Sequence, residues 1–210
     1  RHSFPTRRSS DLRYGKNALM TKQELRKLYR QKRTALSEAE YGQLNFQLYQ
    51  NFFSTIDLSF VHVLHTFLPI VEKKEVDTWL ILDRIRREFP HIRISIPKVN
   101  SQTGVFDSFY FEGLHQLALN EWGIQEPKQG IPTEPEKVDL VLIPLLAYDK
   151  DGHRVGYGKG FYDKFLSTCR SDCKKIGLSL FDAEETISDS NETDIPLDSC
   201  ITPSRTLHFR

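Results

Sequence analysis

Val138-Asp-Leu-Val-Leu-Ile143 is followed, after ten intervening residues, by Arg154-Val-Gly-Tyr-Gly-Lys-Gly-Phe-Tyr-Asp163. The first run is almost continuously apolar, the pattern of a central parallel strand buried on both faces. The second reads as a glycine-rich turn entering a helix over Phe161–Cys169. Gly156, Gly158 and Gly160 alternate. Glycine allows positive φ and close backbone approach, so successive N–H groups can point at an anion. The following helix N-terminus adds partial positive charge, and Arg154 and Lys159 add full charges. A strand, a glycine turn and a helix, in that order, form the place where open α/β sheets bind ligands. The turn is not a P-loop, because Lys159 precedes Gly160 and not Ser or Thr. Nor does G-x-G-x-G match the dinucleotide fingerprint. A plain turn accounts for one or two glycines; three alternating ones with Arg and Lys interleaved point to phosphate.

Working outward, Thr21 and Glu24 form a T-x-x-E capping box, with Leu25, Leu28, Tyr29 and Leu36 at near-helical spacing over 21–36. Ser37 and Glu40 repeat the box ahead of Leu44, Leu48, Tyr49 and Phe52. Phe60–Leu68 reads as a buried strand. Asp77 or Thr78 can cap a third helix with Leu80, Ile81, Ile85 and Phe89. Ile92–Ile96 reads as a strand stopped by Pro97, and Gly104–Tyr110 as another. Lys175–Phe181, Ser199–Thr202 and Thr206–Phe209 complete the strands, and the Pro-rich 127–137 reads as a loop. Strands alternating with helices predict one α/β domain with a mostly parallel sheet covered on both faces.

The 210 residues are 39% hydrophobic and 27% charged, a balance that excludes a disordered chain. No apolar run approaches the roughly 18 residues of a membrane span. Three cysteines (Cys169, Cys173, Cys200) are too few for a disulfide scaffold, so a reducing, cytoplasmic setting is expected. The net charge is +1, but residues 1–19 hold five basic residues and one acid; the remainder has 24 basic and 27 acidic residues, a net of −3. Bulk attraction to nucleic acid is therefore not expected.

The opening Arg- and Ser-rich segment admits a transit-peptide reading or that of a disordered arm. His2-Ser-Phe-Pro-Thr-Arg-Arg-Ser-Ser-Asp-Leu12 resembles the in-frame translation of a sequencing-adapter oligonucleotide. Residues 1–19 are therefore expected to be a non-native lead. The natural chain is expected to start at Met20, with one domain over 20–210.

Arg154–Asp163 resembles the signature of the 5-formyltetrahydrofolate cyclo-ligase (5,10-methenyltetrahydrofolate synthetase) family: Arg, a small apolar residue, G-x-G-x-G, two aromatics and Asp. Val155 stands where that family usually has Leu. Lys22-Gln-Glu-Leu-Arg26 is similar to its K-x-x-L-R, Glu75-Val-Asp-Thr78 to its E-[IV]-[DE]-T, and Trp122-Gly-Ile-Gln-Glu-Pro127 to its W-x-I-x-x-P. The resemblance runs over about 21–202 and implies a three-layer α/β/α sandwich. It implies ATP-dependent cyclisation of 5-formyltetrahydrofolate to 5,10-methenyltetrahydrofolate, with ATP and Mg²⁺ required and the protein acting as a monomer on small molecules, without nucleic acid or membrane.

Lys22 and Arg26 are i, i+4 on one helix, so both can face one triphosphate. Lys27, Arg30, Lys32 and Arg33 make a solvated basic face an equal reading of the spacing alone. The resemblance carries ATP binding to Lys22, Arg26, Arg154, Gly156, Tyr157, Gly158, Lys159, Gly160, Phe161 and Tyr162, with Lys159 and Arg154 catalytic. It carries the metal to Asp163 and Asp194, with Asp198 competing for the second place. Glu75 would receive the pterin, whose N–H groups suit a carboxylate, and Leu68, Trp122 and Tyr162 would offer the folate apolar or stacking surface. His62 and His65, three apart on a strand, face opposite sides and make a poor metal pair. Cys169 and Cys173, read as i, i+4 on a helix, are expected to be plain thiols. The competing functions are a sugar-phosphate isomerase or CoA-transferase-like enzyme on a related fold, and a nucleotide- or RNA-binding module.

Overall fold

Two capping boxes start the first two helices. Thr21 accepts from Glu24 N while the Glu24 carboxylate takes the Thr21 N–H at 2.8 Å, and Ser37 and Glu40 repeat the exchange. In this computed structural model residues 19–120 and 123–209 are described. Their elements run α1 (Lys22–Ala35), α2 (Glu38–Thr55), β1 (Val63–His65), α3 (Trp79–Glu88), β2 (Arg93–Asn100), β3 (Val105–Tyr110), β4 (Leu117–Leu119), β5 (Gln125–Pro127), β6 (Leu140–Pro144), β7 (Ala147–Tyr148), β8 (Arg154–Val155), α4 (Phe161–Thr168), β9 (Lys174–Leu178), β10 (Ser199–Ile201) and β11 (Thr206–His208).

Seven strands form one sheet in the order β11-β10-β9-β6-β1-β2-β3. The inner five (β10, β9, β6, β1, β2) are parallel, and β11 and β3 close the edges antiparallel. β6 lies at the centre, as its apolar run predicts. Leu140 and Leu142 face one side with α2 and α3 (Leu48, Phe52, Ile81, Ile85), while Val141 and Ile143 face the other with Phe165 and Leu166 of α4. Each fully buried aliphatic side chain of this kind is worth roughly 1.5–3 kcal/mol, so β6 fixes the register on both faces. The result is the expected three-layer α/β/α sandwich. No helix among the described residues is long and apolar enough to cross a membrane.

Helix α1 belongs to neither face. Leu25 and Tyr29 pack with Leu146, Ala147, Val155 and Ile187, the small β7–β8 hairpin and its surroundings. This hairpin, and the β4–β5 hairpin, are absent from the sequence reading. Their strands of two or three residues are too short to show periodicity.

Pro97 does not stop its strand. β2 pairs with β1 only over Arg93–Ser95 and continues to Asn100 against β3. Val99, two residues on, donates its N–H away from β3 to Glu126 Oε1 at 3.1 Å. The nitrogen of Pro97 therefore points to the same outer side, where the sheet asks for no ladder bond. Helix α4 ends at Thr168, so Cys169 is its C-cap and Cys173 lies beyond it; both thiols are free.

Candidate functional site

The site lies past the carboxyl ends of β1 and β6, where ligands bind to open α/β sheets. The segment after β1 is pinned by Thr78 Oγ1, which donates to Phe67 O at 2.8 Å, and by Asn45 Oδ1, which receives Asp77 N at 2.7 Å. Asp77, not Thr78, supplies the side-chain cap of α3, accepting from Trp79 N at 3.1 Å. Glu75 is thereby buried, 3% exposed, with Oε2 accepting from Ile70 N at 2.8 Å.

The glycine turn spans from β8 to α4. Gly158 and Gly160 adopt φ of 90° and 70°, the left-handed region that the spacing suggested. Arg26 Nε on α1 donates to Gly156 O at 2.9 Å, and its guanidinium lies against Gly158, where a Cβ would come within 3.2 Å of Arg26 Cζ. Arg154 is buried and donates to Asp163 Oδ1 at 2.6 Å and to the Ile195 carbonyl. Lys159 is exposed at the tip of the loop, with no hydrogen-bond or ion-pair partner among the described residues.

Tyr157 turns inward. Its hydroxyl donates to Glu75 Oε1 and accepts from Arg33 Nη1 at 3.1 Å. Burial first, and then the Glu75 charge, push that hydroxyl's pKa up, so it remains a donor. Arg33 also donates through Nη2 to Leu145 O, just past β6. It is only 4% exposed, so it does not belong to the solvated basic face suggested by its neighbours Arg30 and Lys32. Sequence spacing carried no signal for this, because only the folded position of Tyr157 buries it.

Tyr162 stands edge-on to Phe106 and His65, and Phe161 stacks on Phe106 at 5.2 Å. The Tyr162 hydroxyl is buried with no hydrogen-bond partner among the described residues, and burial raises its pKa. His65 beneath it is fully buried, while His62 lies just before β1 and is exposed; burial lowers the pKa of His65 to about 3, so it is neutral. Leu68 is 7% exposed and belongs mainly to the α2/α3 core. Trp122 lies outside the described residues.

Lys22 pairs with Asp194 Oδ2 at 2.5 Å, and Asn191 N adds 2.8 Å to the same oxygen. Burial opposes the Asp194 charge, but Lys22, the Asn191 N–H and Arg154 together hold its pKa below the usual range. Asp163 receives Ile195 N at 3.1 Å on the oxygen that Arg154 also uses. Each carboxylate thus keeps one oxygen outside these bonds. That suits a hard cation held by one or two carboxylates and by phosphate oxygens, as Mg²⁺ is beside nucleotides. Asp198 does not compete. It binds Lys175 N at 2.7 Å and Lys175 Nζ at 3.0 Å beside the start of β9, the opposite end of the parallel strands. The Asp149, Asp151 and His153 atoms cluster in the β7–β8 turn, but both Asp149 oxygens already accept from that turn and from Ile187 N.

The sequence profile of the 5-formyltetrahydrofolate cyclo-ligase family matches residues 18–203. The 5-formyltetrahydrofolate cyclo-ligase of Mycoplasma genitalium is 30% identical over 162 residues, 77% of this chain and 86% of that protein. The Escherichia coli K12 cyclo-ligase is 25% identical over 182 residues, 85% and 98% of the two chains. Among solved structures, the Aquifex aeolicus 5,10-methenyltetrahydrofolate synthetase superposes with a TM-score of 0.77 at 30% identity, covering 91% of this chain and 94% of that one. The Mycoplasma pneumoniae 5,10-methenyltetrahydrofolate synthetase gives 0.69 at 28%, covering 88% and 99%.

Proposed function

The chain belongs to the 5-formyltetrahydrofolate cyclo-ligase family, and from that premise we propose how its residues perform the ATP-driven closure of 5-formyltetrahydrofolate to 5,10-methenyltetrahydrofolate, with release of ADP and phosphate. The formyl oxygen attacks the γ-phosphorus of ATP, and ADP leaves. The resulting phosphorylated imidate carbon is attacked by N10 of the same folate. N10 gives up its proton to the departing phosphate, the C–O bond breaks and the methenyl bridge closes. No protein nucleophile is required, so the protein's work is positioning and charge compensation.

One observation carries the reading: Arg26 of α1 meets the glycine loop at Gly156 and Gly158, and the same loop meets Glu75 through Tyr157. Three motif segments far apart in sequence therefore meet at one place. Lys22 and Arg26 receive the triphosphate together with the N–H groups of Gly156–Tyr162. Arg26 exchanges the Gly156 carbonyl for a phosphate oxygen. Arg154, anchored on Asp163 and Ile195, keeps the loop in shape and contributes positive charge beneath the phosphates. Lys159, extended and unpaired, closes on the transferring phosphoryl group, where one well-aimed donor is worth ~3 kcal/mol. Glu75 accepts from the pterin, and Tyr162, Leu68 and Trp122 supply its apolar surroundings. Mg²⁺, held through Asp163 and Asp194, would neutralise phosphate charge.

The test is direct. Incubation with 5-formyltetrahydrofolate and Mg-ATP should produce the near-ultraviolet absorbance of the methenyl product, with ADP formed in equal amount. ATP hydrolysis without that absorbance, or no turnover at all, rejects the assignment.

A further inference from the structure

Tyr157, Arg33 and Glu75 form a buried chain that the reaction scheme leaves unexplained. The hydroxyl accepts from Arg33 Nη1 at 3.1 Å and donates to Glu75 Oε1. Arg33 and Glu75 are 4% and 3% exposed, so no ligand reaches Glu75 Oε1 while the Tyr157 hydroxyl sits there. Arg33 Nε is buried and has no hydrogen-bond partner among the described residues. An unsatisfied buried donor is costly, and its presence marks recognition capacity that is not in use.

We propose that the Tyr157 hydroxyl is a removable stopper on a two-residue folate anchor formed by Arg33 and Glu75. This rests on the reading that Glu75 receives the pterin. A pterin edge carries N–H donors at N3 and the 2-amino group beside the C4 carbonyl acceptor. A carboxylate next to a guanidinium is complementary to that edge, one accepting and the other donating. The Tyr157 hydroxyl presents the same pair of functions, giving to Glu75 and taking from Arg33. It therefore occupies the anchor in the absence of folate and keeps the two charges from standing unpaired.

The stopper can move. Tyr157 is carried on the glycine loop, between Gly156 and Gly158, and not on a helix or strand. Its ring is flanked by the cations of Arg30 at 5.7 Å and Lys73 at 5.3 Å, both on exposed residues whose hold on the ring is weak. A loop that reorganises around phosphate would carry Tyr157 with it, so ATP and folate binding would favour one another.

The experiment is calorimetric titration of the full chain with 5-formyltetrahydrofolate, without nucleotide, alongside melting curves. Tyr157→Phe takes one partner from Arg33 and one from Glu75 in the free protein, leaving Arg33 Nη2 on Leu145 O and Glu75 Oε2 on Ile70 N, and folate should bind tighter by about 2- to 12-fold, the equivalent of one hydrogen bond. Arg33→Met should weaken folate by about tenfold or more and leave ATP affinity unchanged. Folate affinity in Tyr157→Phe that is unchanged or weaker overturns the stopper, and this holds even if Arg33→Met does not fold. Equal loss of folate and ATP affinity in Arg33→Met overturns the anchor. Glu75→Gln separates the two levels. If it binds folate normally, the pterin reading and the stopper fall together; if it loses folate while Tyr157→Phe gains nothing, only the stopper falls.

Discussion

Arg26 Nε donates to the Gly156 carbonyl at 2.9 Å, joining residues 130 apart in sequence. The guanidinium covers Gly158, and a Cβ at that position would crowd it at 3.2 Å from Arg26 Cζ. Helix α1 and the glycine loop are thus the two walls of the proposed phosphate site.

Arg26→Ala should therefore weaken ATP far more than folate. Hydrogen bonds to charged groups contribute roughly 1.5–3 kcal/mol, so the ATP Kd should rise about 10- to 150-fold. Separate titrations with a non-hydrolysable ATP analogue and with 5-formyltetrahydrofolate measure this. Equal losses would show that Arg26 only shapes the loop.

Lys159→Ala should slow turnover about a hundredfold, the equivalent of ~3 kcal/mol in the transition state, with no change in melting temperature. Lys159 is exposed and has no partner to lose. Lys159→Arg should recover only part of the rate, since a planar fork does not replace a compact ammonium. Near-normal turnover in Lys159→Ala, measured by steady-state kinetics, would remove the loop from the chemistry.

Two acidic variants should behave oppositely. Asp163→Asn should raise the Mg²⁺ concentration needed for half-maximal rate, because it weakens an oxygen donor beside the phosphates. Asp198→Asn should leave that dependence unchanged and only loosen the start of β9, where the carboxylate holds Lys175. Magnesium titrations at fixed ATP compare them. A shift in Asp198→Asn would contradict its place at the far end of the sheet.

His65 makes stability fall on acidification. Its folded pKa is near 3 against 6.5 in the unfolded chain, so protons bind preferentially to the unfolded state between those values. From pH 7 to pH 5 this removes about 2 kcal/mol of stability. His65→Gln retains an amide for Ser108, the partner of His65 Nε2 at 3.2 Å, and has no proton to gain. Urea melts at the two pH values should show a smaller loss for the variant; identical losses would mean that His65 is reached by water.

What was legible in the sequence was what neighbours along the chain determine. The boxes Thr21/Glu24 and Ser37/Glu40 are local, and so are the apolar run of β6 and the left-handed glycines at 158 and 160. What failed depended on who sits across the sheet or cleft. Pro97 reads as a stop until β3 is known to be the strand that pairs with it, on the side its nitrogen does not face. Asp194 and Asp198 read alike until the strand direction puts them at opposite ends. Arg33 reads as one more surface cation in a basic helix, and only Tyr157, from a segment 124 residues away, shows that it is interior.

Because α1 rests on the β7–β8 hairpin and not on either face of the sheet, the molecule behaves as a scaffold with a separate clasp. Substitution at the half-buried Arg26 leaves the scaffold's core contacts in place, while substitution at the buried Leu25 or Tyr29 cuts into the core that α1 shares with the hairpin. A loss of function at Arg26 is then expected to leave melting curves nearly unchanged, whereas damage in β6 removes stability and function together. Variants of this protein sorted by stability alone would pass those in which the two substrates can no longer meet.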